Sequence, residues 1–483
     1  MSRTRLALLA SVMGALALLS ACGFDASSGQ SRDEVQGETA AVPKGEPPQR
    51  PNVVVVLTDD QNAADLGVMR NVERLLVERG VTFSESFVNF PLCCPARATL
   101  LTGQYAHNHG VRANHLPDGG YPRLDSAETL PAWLTEAGYR TAYMGKFMNG
   151  VRFAIPPGWQ TWQAKGGPTE YDYYGYTLNQ GGRLVEHGAE PQDHADAVVT
   201  RKAVRYIRRH AGGRRPFFLS LGYLAPHVRT GNSREERGCG PQPAPRDEGA
   251  FAAKRLPRSP SFGERDVSDK PRKLRKLPKL TDEERAVIEE RYRCRQESLL
   301  GVDRGVREVV RTLRQAGALG DTYIVFTSDN GLIQGEHRIM GGKEEPYEEA
   351  IRVPLVVRGP GIPAGERSES TAVNADLAPT IAAIAGAKPG LTMDGRSLLP
   401  LARRPERTTR RDFPITGATF DGVRTPRYAY VERKSGEREL YDLKRDPHQL
   451  RNRAGDERLA RVERRLAARL AELRECAGRS CWR

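Results

Sequence analysis

The chain lacks the patterns that usually mark a nucleic-acid-binding protein. It contains no zinc-finger spacing of cysteine and histidine and no aromatic RNP-like motif. These absences matter because its 483 residues carry a formal net charge of +14, and a basic protein can bind nucleic acid, an anionic membrane surface or an acidic substrate. Nucleic acid is the weakest of the three, so we expect no nucleic-acid partner. An arginine-rich genome composition is the alternative that needs no partner at all.

The N-terminus lacks an apolar run that could span a bilayer comfortably. Its apolar stretch covers only residues 6–19 and follows two arginines, which together predict an export signal. Leu19-Ser20-Ala21-Cys22 resembles a bacterial lipobox. The resemblance implies that Cys22 is lipidated and anchors the protein at the outer face of the bacterial cell membrane; an ordinary cleaved signal is the alternative. We therefore predict a signal peptide at 1–21 and a polar, flexible tether at 22–50.

Apolar runs alternate with helical periods along the rest of the chain, and 39% of the residues are hydrophobic, so a globular α/β fold is predicted. Four predicted strands are each followed by polar residues. Ligand sites in open α/β sheets collect at the carboxyl ends of strands, although each polar residue could also be a simple turn former. The strands and the residues after them are 52–57 with Asp59 and Asp60, 140–144 with Lys146, 216–221 with His227, and 322–327 with Asp329 and Asn330. The predicted helices span 71–79, 131–137, 194–210 and a long stretch to about 316, which a capping box opens at Thr281.

The most informative segment is Cys93-Cys94-Pro95-Ala96-Arg97-Ala98-Thr99-Leu100-Leu101-Thr102-Gly103. Proline is favoured at the start of a helix and glycine just past its end, so the segment predicts a short helix with Cys93 just ahead of its N-terminus. Free backbone N–H groups and the helix dipole suit that place to an anion. Arg97 lies one turn further along and can offer a planar fork of donors to a tetrahedral oxyanion.

This segment resembles the sulfatase signature Cys-x-Pro-x-Arg-x-x-x-Leu-x-Gly. In that family the cysteine is oxidised to formylglycine, and the match puts this residue at Cys93, not at Cys94. The family usually has serine where this chain has Ala96. The resemblance implies an alkaline-phosphatase-like α/β fold, in which helices flank a large mixed, mostly parallel sheet and a small antiparallel subdomain follows. It also implies a formylglycine-generating enzyme as a partner.

The resemblance extends along most of the chain. It implies a catalytic domain at 51–400 and a C-terminal subdomain at 401–483, in which residues 459–473 would form the last helix. The string from Glu439 to Pro447 also matches the family. Gly145-Lys146-Phe147-Met148-Asn149 is most similar to N-acetylglucosamine-6-sulfatase-like members, whereas many arylsulfatases have a histidine at the position of Met148.

Two features stay open at this level. The basic stretch 229–280 is either a mobile surface insertion or a lip that attracts an anionic polysaccharide. Four cysteines remain besides those at 22, 93 and 94, and an exported protein can form disulfides. A short loop closed by Cys476 and Cys481 and a long loop closed by Cys239 and Cys294 are one possible arrangement, but the spacing does not decide the pairing. These cysteines are Cys239, Cys294, Cys476 and Cys481.

Oxygen atoms are the only ligands offered by Asp59, Asp60, Asp329 and Asn330, and such sets suit Ca²⁺ or Mg²⁺ better than zinc. The Asp-Asp and Asp-Asn pairs resemble the sulfatase metal ligands, where the ion is usually calcium. The resemblance also puts Cys93 in the ligand set. Carboxylates crowded together would repel one another without the ion, which polarises a substrate oxygen and helps to hold a charged nucleophile.

The resemblance further implies a mechanism. The aldehyde of formylglycine hydrates to a gem-diol; one hydroxyl attacks sulfur, and the other then loses its proton and expels sulfate as the aldehyde re-forms. Lys146 and Lys343 would neutralise sulfate oxygens, and His227 would protonate the leaving oxygen or contact the sulfate. The alternatives are solvated lysines, a hydrogen-bonded core histidine and a plain buried thiol at Cys93.

Three further histidines, His107, His109 and His337, are either residues of the substrate pocket or structural residues. Together these features predict an exported, lipid-anchored, Ca²⁺-dependent sulfatase that hydrolyses sulfate monoesters of carbohydrates, with aryl sulfates as artificial substrates. One alternative is a phosphonate or phosphate ester hydrolase of the same superfamily. The other is a surface lipoprotein that binds glycans without turnover, which would leave Cys93 unmodified.

Overall fold

The computed structural model describes residues 50–229 and 239–482. The predicted signal peptide, the lipidation site Cys22 and the predicted tether up to residue 49 lie outside these residues.

Within the described residues the chain forms a ten-stranded sheet and a four-stranded sheet. The strands are β1 (Asn52–Thr58), β2 (Val81–Phe87), β3 (Arg140–Lys146), β4 (Thr161–Lys165), β5 (Tyr176–Gln180), β6 (Arg183–His187), β7 (Phe217–Gly222), β8 (Thr322–Ser328), β9 (Leu355–Arg358), β10 (Glu366–Val373), β11 (Phe413–Gly417), β12 (Phe420–Arg424), β13 (Tyr428–Arg433) and β14 (Arg438–Asp442). The α-helices are α1 (Arg70–Leu75), α2 (Cys93–Thr102), α3 (Ala106–His109), α4 (Leu130–Glu136), α5 (Ala195–His210), α6 (Arg272–Arg275), α7 (Asp282–Gln315), α8 (Glu348–Ile351), α9 (Leu377–Ala385), α10 (Leu399–Arg403) and α11 (Ala460–Arg474).

The large sheet places the four predicted strands side by side. Its order is β10-β2-β9-β8-β1-β7-β3-β4-β5-β6. The run β8-β1-β7-β3-β4 is parallel throughout, whereas β9, β5 and β6 are antiparallel to their neighbours. Because β8, β1, β7 and β3 are parallel and adjacent, their carboxyl ends lie at one edge of the sheet. This mixed, mostly parallel sheet confirms the predicted fold class.

Both faces of the large sheet are covered by helices, which explains why β1 is a continuous apolar run. Val53 and Val55 pack with residues of α2, α4 and α9 on one face. Val54 and Val56 pack with residues of α1, α5 and α7 on the other. In the described part of the chain, none of the helices is both long and apolar enough to cross a membrane.

The small sheet is an antiparallel meander of β11, β12, β13 and β14. Helix α11 covers it with buried leucines at positions 466, 470 and 473, which share one face of the helix. The sequence predicted this helix at 459–473, and the structure has it at Ala460–Arg474. The predicted small antiparallel C-terminal unit with a final helix is therefore confirmed.

The four cysteines whose pairing the sequence left open form two disulfides. Cys239 is bonded to Cys294, and Cys476 is bonded to Cys481. The other two cysteines of the described chain, Cys93 and Cys94, are free and buried.

The basic stretch predicted as an insertion packs against the rest of the protein from residue 239 onwards. Lys270 is 1% exposed and pairs with Glu264, and Leu274 is 1% exposed. The backbone of this stretch also bonds to the loop after β8, where His337 N donates to Ser261 O at 2.8 Å. A simple surface loop therefore does not describe residues 239–280, because their buried groups support the loop that carries Lys343.

Candidate active site

The carboxyl ends of four parallel strands deliver the predicted site residues to one place. Asp59 and Asp60 follow β1, and Asp329 and Asn330 follow β8. His227 lies a short loop beyond β7. The sequence predicted that Lys146 follows its strand. In the structure β3 extends to Lys146, so this lysine is the last residue of the strand.

Helix α2 brings the fifth component, Cys93, to this edge. The helix begins at Cys93 itself with Leu92 as its N-cap, so the cysteine lies inside the first turn and not ahead of it as predicted. Gly103 ends the helix with a positive φ of 69°, as glycine at that position allows. The whole helix is buried, which fixes the direction of the Cys93 side chain.

Cys93 lies between two lysines and a carboxylate. Lys343 Nζ donates to Cys93 Sγ at 2.9 Å, and Lys146 Nζ donates to it at 3.5 Å. The thiol lies 3.5 Å from Asp59 Oδ1. Burial raises the pKa of the Cys93 thiol well above its usual value, and the charge of Asp59 raises it further. An unmodified thiol here is therefore uncharged near neutral pH and a weak nucleophile.

Asp59 is buried completely and is bound by cations. Its Oδ2 accepts from Lys146 Nζ and, at 3.1 Å, from an Arg97 terminal nitrogen. Burial alone would raise the pKa of Asp59, but the cation of Lys146 and the other nearby charges hold it far below its usual range. Asp59 is therefore ionised at any physiological pH.

The N–H groups of the Arg97 guanidinium donate to other groups of the protein. Its Nε donates to Asp329 at 2.8 Å, and its terminal nitrogens donate to Asp59 and to the carbonyl of Lys146, the latter at 2.7 Å. With 3% of its surface exposed, the guanidinium connects the ends of β1, β3 and β8. The structure thus gives Arg97 a clear positioning role, and its action on a substrate oxyanion stays a prediction.

The second carboxylate, Asp60, has the backbone conformation of a special position. Its φ of 69° is uncommon for a residue other than glycine, and its N–H donates to Asp329 Oδ1 at 3.2 Å. Asp60 Oδ1 accepts from Lys343 and, at 2.6 Å, from Asn330 Nδ2. The other side of that amide, Asn330 Oδ1, is buried and has no hydrogen-bond partner among the described residues.

His227 presents a lone pair to the two carboxylates. Its Nδ1 lies 2.6 Å from the carbonyl oxygen of Val228, so Nδ1 carries the proton, because a carbonyl can only accept. Nε2 is then the unprotonated nitrogen, and it lies 3.6 Å from Asp60 Oδ2 and 4.0 Å from Asp59 Oδ1. Burial lowers the pKa of His227 to about 4, against the attraction of the aspartates. The ring stacks on Tyr171 with 4.6 Å between centroids.

These atoms fit a divalent cation. One ligand atom each from Asp59, Asp60, Cys93 and His227 lies within 4.8 Å of the others, and Asn330 adds a buried oxygen without a partner. The oxygen atoms of Asp59 and Asp60 face the lone pair of His227, and such a set suits a hard divalent cation. Asp329, which the sequence also predicted as a ligand, lies outside this group of four and has its oxygens on Arg97 and Asp60 N.

Comparison with protein families decides what kind of site this is. The profile described as Sulfatase matches residues 51–387, well over half of the chain. The chain belongs to the sulfatase family. This confirms the family predicted from the cysteine segment. A second profile, that of the N-sulphoglucosamine sulphohydrolase C-terminal region, matches residues 335–476 of this sulfatase.

Curated relatives agree in type. An arylsulfatase of Volvox carteri is 33% identical over 90% of this chain and 76% of its own length. An N-acetylglucosamine-6-sulfatase of Capra hircus is 31% identical over 90% of this chain and 85% of its own length. The chain spans only about half (49%) of the Sulf-1 homologue of Caenorhabditis elegans and 32% of the extracellular sulfatase SULF-1 homologue of Drosophila melanogaster.

Solved structures agree in fold. A protein solved with its substrate D-glucosamine-2-N,6-O-disulfate has a TM-score of 0.73 at 22% identity, covering 88% of this chain and 97% of that one. A phosphonate monoester hydrolase of Agrobacterium radiobacter has a TM-score of 0.68 at 22% identity, covering 88% and 95%. At such low identity these neighbours establish the fold of the sulfatase and not its substrate.

One central residue of the site escaped the sequence analysis. Arg295 of α7 is 1% exposed and bonds to the loops after β1 and β7, donating to Asp60 O at 2.6 Å and to Pro226 O at 3.2 Å. It also pairs with Asp65 at 3.3 Å. The available signal was a charged residue in a long amphipathic helix at a position that faces the core.

The three further histidines are not among the residues that meet at Cys93. His109 is 8% exposed and lies 3.0 Å from the Thr99 hydroxyl, while His107 lies 2.8 Å from the carbonyl of Cys476. His337 is buried and lies 2.6 Å from Glu264. Of the two interpretations left open by the sequence, these contacts support the structural one.

Proposed function

We propose that this sulfatase hydrolyses sulfate monoesters of carbohydrates by cleavage of the S–O bond, with formylglycine at position 93 and a bound Ca²⁺. The observation that carries the proposal is the set of contacts around Cys93, which lies within 3.5 Å of Asp59, Lys146 and Lys343. The names of the N-acetylglucosamine-6-sulfatase relatives support a sugar sulfate as substrate.

The two lysines account for binding of the sulfate group. Both ammonium groups lie on Cys93 Sγ, so a sulfate that reacts at position 93 meets two positive charges. Donors that are already in place where charge develops stabilise a transition state without reorganisation. A formylglycine at this position would supply a hydroxyl nucleophile when hydrated.

The carboxylates account for the metal. Asp59, Asp60, Asp329 and Asn330 would hold Ca²⁺ through oxygen atoms, together with the modified residue 93. Asp329 also accepts from Arg97 and from the Asp60 backbone. Bound there, the ion would polarise a sulfate oxygen. His227, whose Nε2 carries the lone pair, is set up to accept a proton beside residue 93. In this tautomer Nε2 can accept from the hydroxyl nucleophile. Contact with a sulfate oxygen or protonation of the leaving oxygen, the two roles predicted from the sequence, requires Nε2 to carry a proton.

The remaining proposals concern the setting of the enzyme. We retain export and lipidation of Cys22, conversion of Cys93 by a formylglycine-generating enzyme, and the division of the chain near residue 400. Export is supported by the basic and apolar N-terminus and by the extracellular sulfatase homologues.

A substrate comparison tests the proposal. Protein made together with a formylglycine-generating enzyme is assayed on N-acetylglucosamine 6-sulfate, 4-nitrophenyl sulfate and a 4-nitrophenyl phosphate diester. We expect turnover of both sulfates and a kcat/KM for 4-nitrophenyl sulfate above that for the diester. A preference for the diester would favour a phosphoester hydrolase, and no turnover of any ester would favour a glycan-binding lipoprotein.

Neighbouring cysteines supply a matched pair of variants. Cys93→Ala removes the residue to be converted and should abolish turnover. Cys94→Ser keeps the sulfatase signature and a hydrogen-bonding group, so it should retain most activity. A Cys93→Ala variant that is as active as the wild type contradicts a reacting group at position 93.

A further inference from the structure

Glu170 is a carboxylate near the catalytic site that the chemistry above does not use. It lies in the loop between β4 and β5 and is partly exposed. Its Oε1 accepts from Asn149 Nδ2 at 2.8 Å. Its second oxygen, Oε2, has no hydrogen-bond partner among the residues that the structure describes.

Asn149 connects Glu170 to the residues around Cys93. The Asn149 side chain is 1% exposed and lies 3.3 Å from the sulfur of Cys94 through Oδ1. Its Oδ1 also accepts from the hydroxyl of Tyr171 at 2.9 Å. Glu170 is therefore one side chain away from the first turn of α2, in which the reacting position lies.

The residue next to Glu170 forms a wall of the catalytic site. The Tyr171 ring stacks on His227, and Lys146 Nζ lies 4.2 Å from the centroid of the same ring. The loop that carries Glu170 is thus held against two residues of the site on one side and against Asn149 on the other. Of the two carboxylates in this loop, Glu170 and Asp172, Glu170 is the one that bonds to Asn149.

The hydrogen bond to Asn149 does not by itself require a charge at position 170. Asn149 Nδ2 needs only a neutral acceptor, and a negative charge beside a sulfate site weakens the binding of an anionic ester. Burial raises the pKa of Glu170 while Lys146 and His115 attract its charge. A free acceptor with a negative charge is useful where a substrate presents a hydrogen-bond donor.

We propose that Glu170 is a specificity-determining residue whose Oε2 accepts a hydrogen bond from a hydroxyl or N–H group of the sugar that bears the sulfate ester. This inference rests on the proposed sugar sulfate substrate. The same carboxylate repels a second anionic group at that position of the substrate. Glu170 therefore selects sugars with a donor next to the ester and does not take part in the reaction itself.

The Glu170→Gln variant isolates this role. Glutamine keeps an oxygen that accepts from Asn149, but it removes the charge and turns a donor toward the substrate. A hydrogen bond to a charged group is strong enough that its loss lowers kcat/KM by roughly 10- to 100-fold. We expect this loss for N-acetylglucosamine 6-sulfate. For 4-nitrophenyl sulfate, which has no donor, kcat/KM should stay within about twofold or rise as the repulsion disappears.

The exposed Glu186 on the edge strand β6 supplies the control, since Glu186→Gln removes one negative charge and should leave both substrates unaffected. An equal loss on both esters in Glu170→Gln assigns the residue to structure and overturns the proposal, and so does no loss on either ester. Wild-type turnover of the nitrophenyl ester alone contradicts a sugar substrate and the role of Glu170 with it. If the wild type cleaves neither sulfate ester, the proposed sulfatase function is wrong, and the role of Glu170 that rests on it is wrong as well.

Discussion

Removing Arg295 should damage stability and catalysis together, because this guanidinium connects the loops that carry Asp60 and His227. It donates to the carbonyls of Asp60 and Pro226 at 2.6 and 3.2 Å and pairs with Asp65 at 3.3 Å. In Arg295→Met the methionine fills much of the volume but leaves the Asp65 carboxylate buried without its cation. Breaking a buried ion pair in this way costs about 3–5 kcal/mol.

The Arg295→Lys variant separates the loss of the positive charge from the loss of the hydrogen bonds. Arg295→Lys keeps the positive charge near Asp65 but cannot reach both carbonyls, because an ammonium lacks the planar fork of arginine. We expect it to lose about 2 kcal/mol of unfolding free energy, the value of one or two such hydrogen bonds. In both variants kcat/KM for 4-nitrophenyl sulfate should fall, by up to about 100-fold if the loops shift by an ångström.

Urea unfolding followed by tryptophan fluorescence measures the stability part, and the midpoints are compared at equal m-values. The control is Arg311→Met on the same helix, where the side chain is exposed and forms an i,i+3 ion pair with Glu308. This control should stay within about 0.5 kcal/mol of the wild type. An Arg295→Met variant that is as stable and as active as Arg311→Met would contradict this role of Arg295.

Three further outcomes follow from the structure. Chelation by EDTA should abolish sulfatase activity and lower the melting temperature, because an ion that binds the folded protein and not the unfolded chain stabilises the fold, and added Ca²⁺ should restore both. Burial lowers the pKa of His109 to about 3, so on acidification the unfolded chain binds a proton at this histidine before the folded protein does. Below pH 6.5 the wild type should therefore lose unfolding free energy faster than His109→Gln, by about 2–3 kcal/mol at pH 4.5. Equal acid sensitivity of the two proteins in urea titrations contradicts this. Replacing both cysteines of the 239–294 disulfide by serine should cost about 4 kcal/mol and those of the 476–481 disulfide about 2 kcal/mol, since their loops span 55 and 5 residues, and the reverse order in urea unfolding would refute the loop-entropy argument.

The sequence was sufficient to predict which strands meet, for a physical reason. Parallel strands that are buried on both faces appear as unbroken apolar runs, as in 52–57, and polar residues that follow such runs are brought to one edge of the sheet. The family resemblance added Lys343, which lies in an irregular loop that no periodicity would have marked. The bounds of β1, β7 and β8 were accordingly close to those predicted.

The details that escaped prediction depend on contacts distant in sequence. Nothing in the local sequence shows that the donors of Arg97 are taken by Asp59, Asp329 and a carbonyl. Arg295 resembles a solvated residue of an arginine-rich helix until its partners around Asp60 are known. The start of α2 at Cys93, two residues before the proline, depends on the extended backbone at Leu92 and not on helix propensity.

The proposed chemistry requires that residue 93 acts as formylglycine and not as cysteine. Mass spectrometry of the tryptic peptide that contains residue 93, prepared from protein made in its native host, measures this directly. We expect an aldehyde at position 93 and an intact thiol at Cys94, in a preparation that cleaves sulfate esters. A free thiol at position 93 in fully active protein would contradict it.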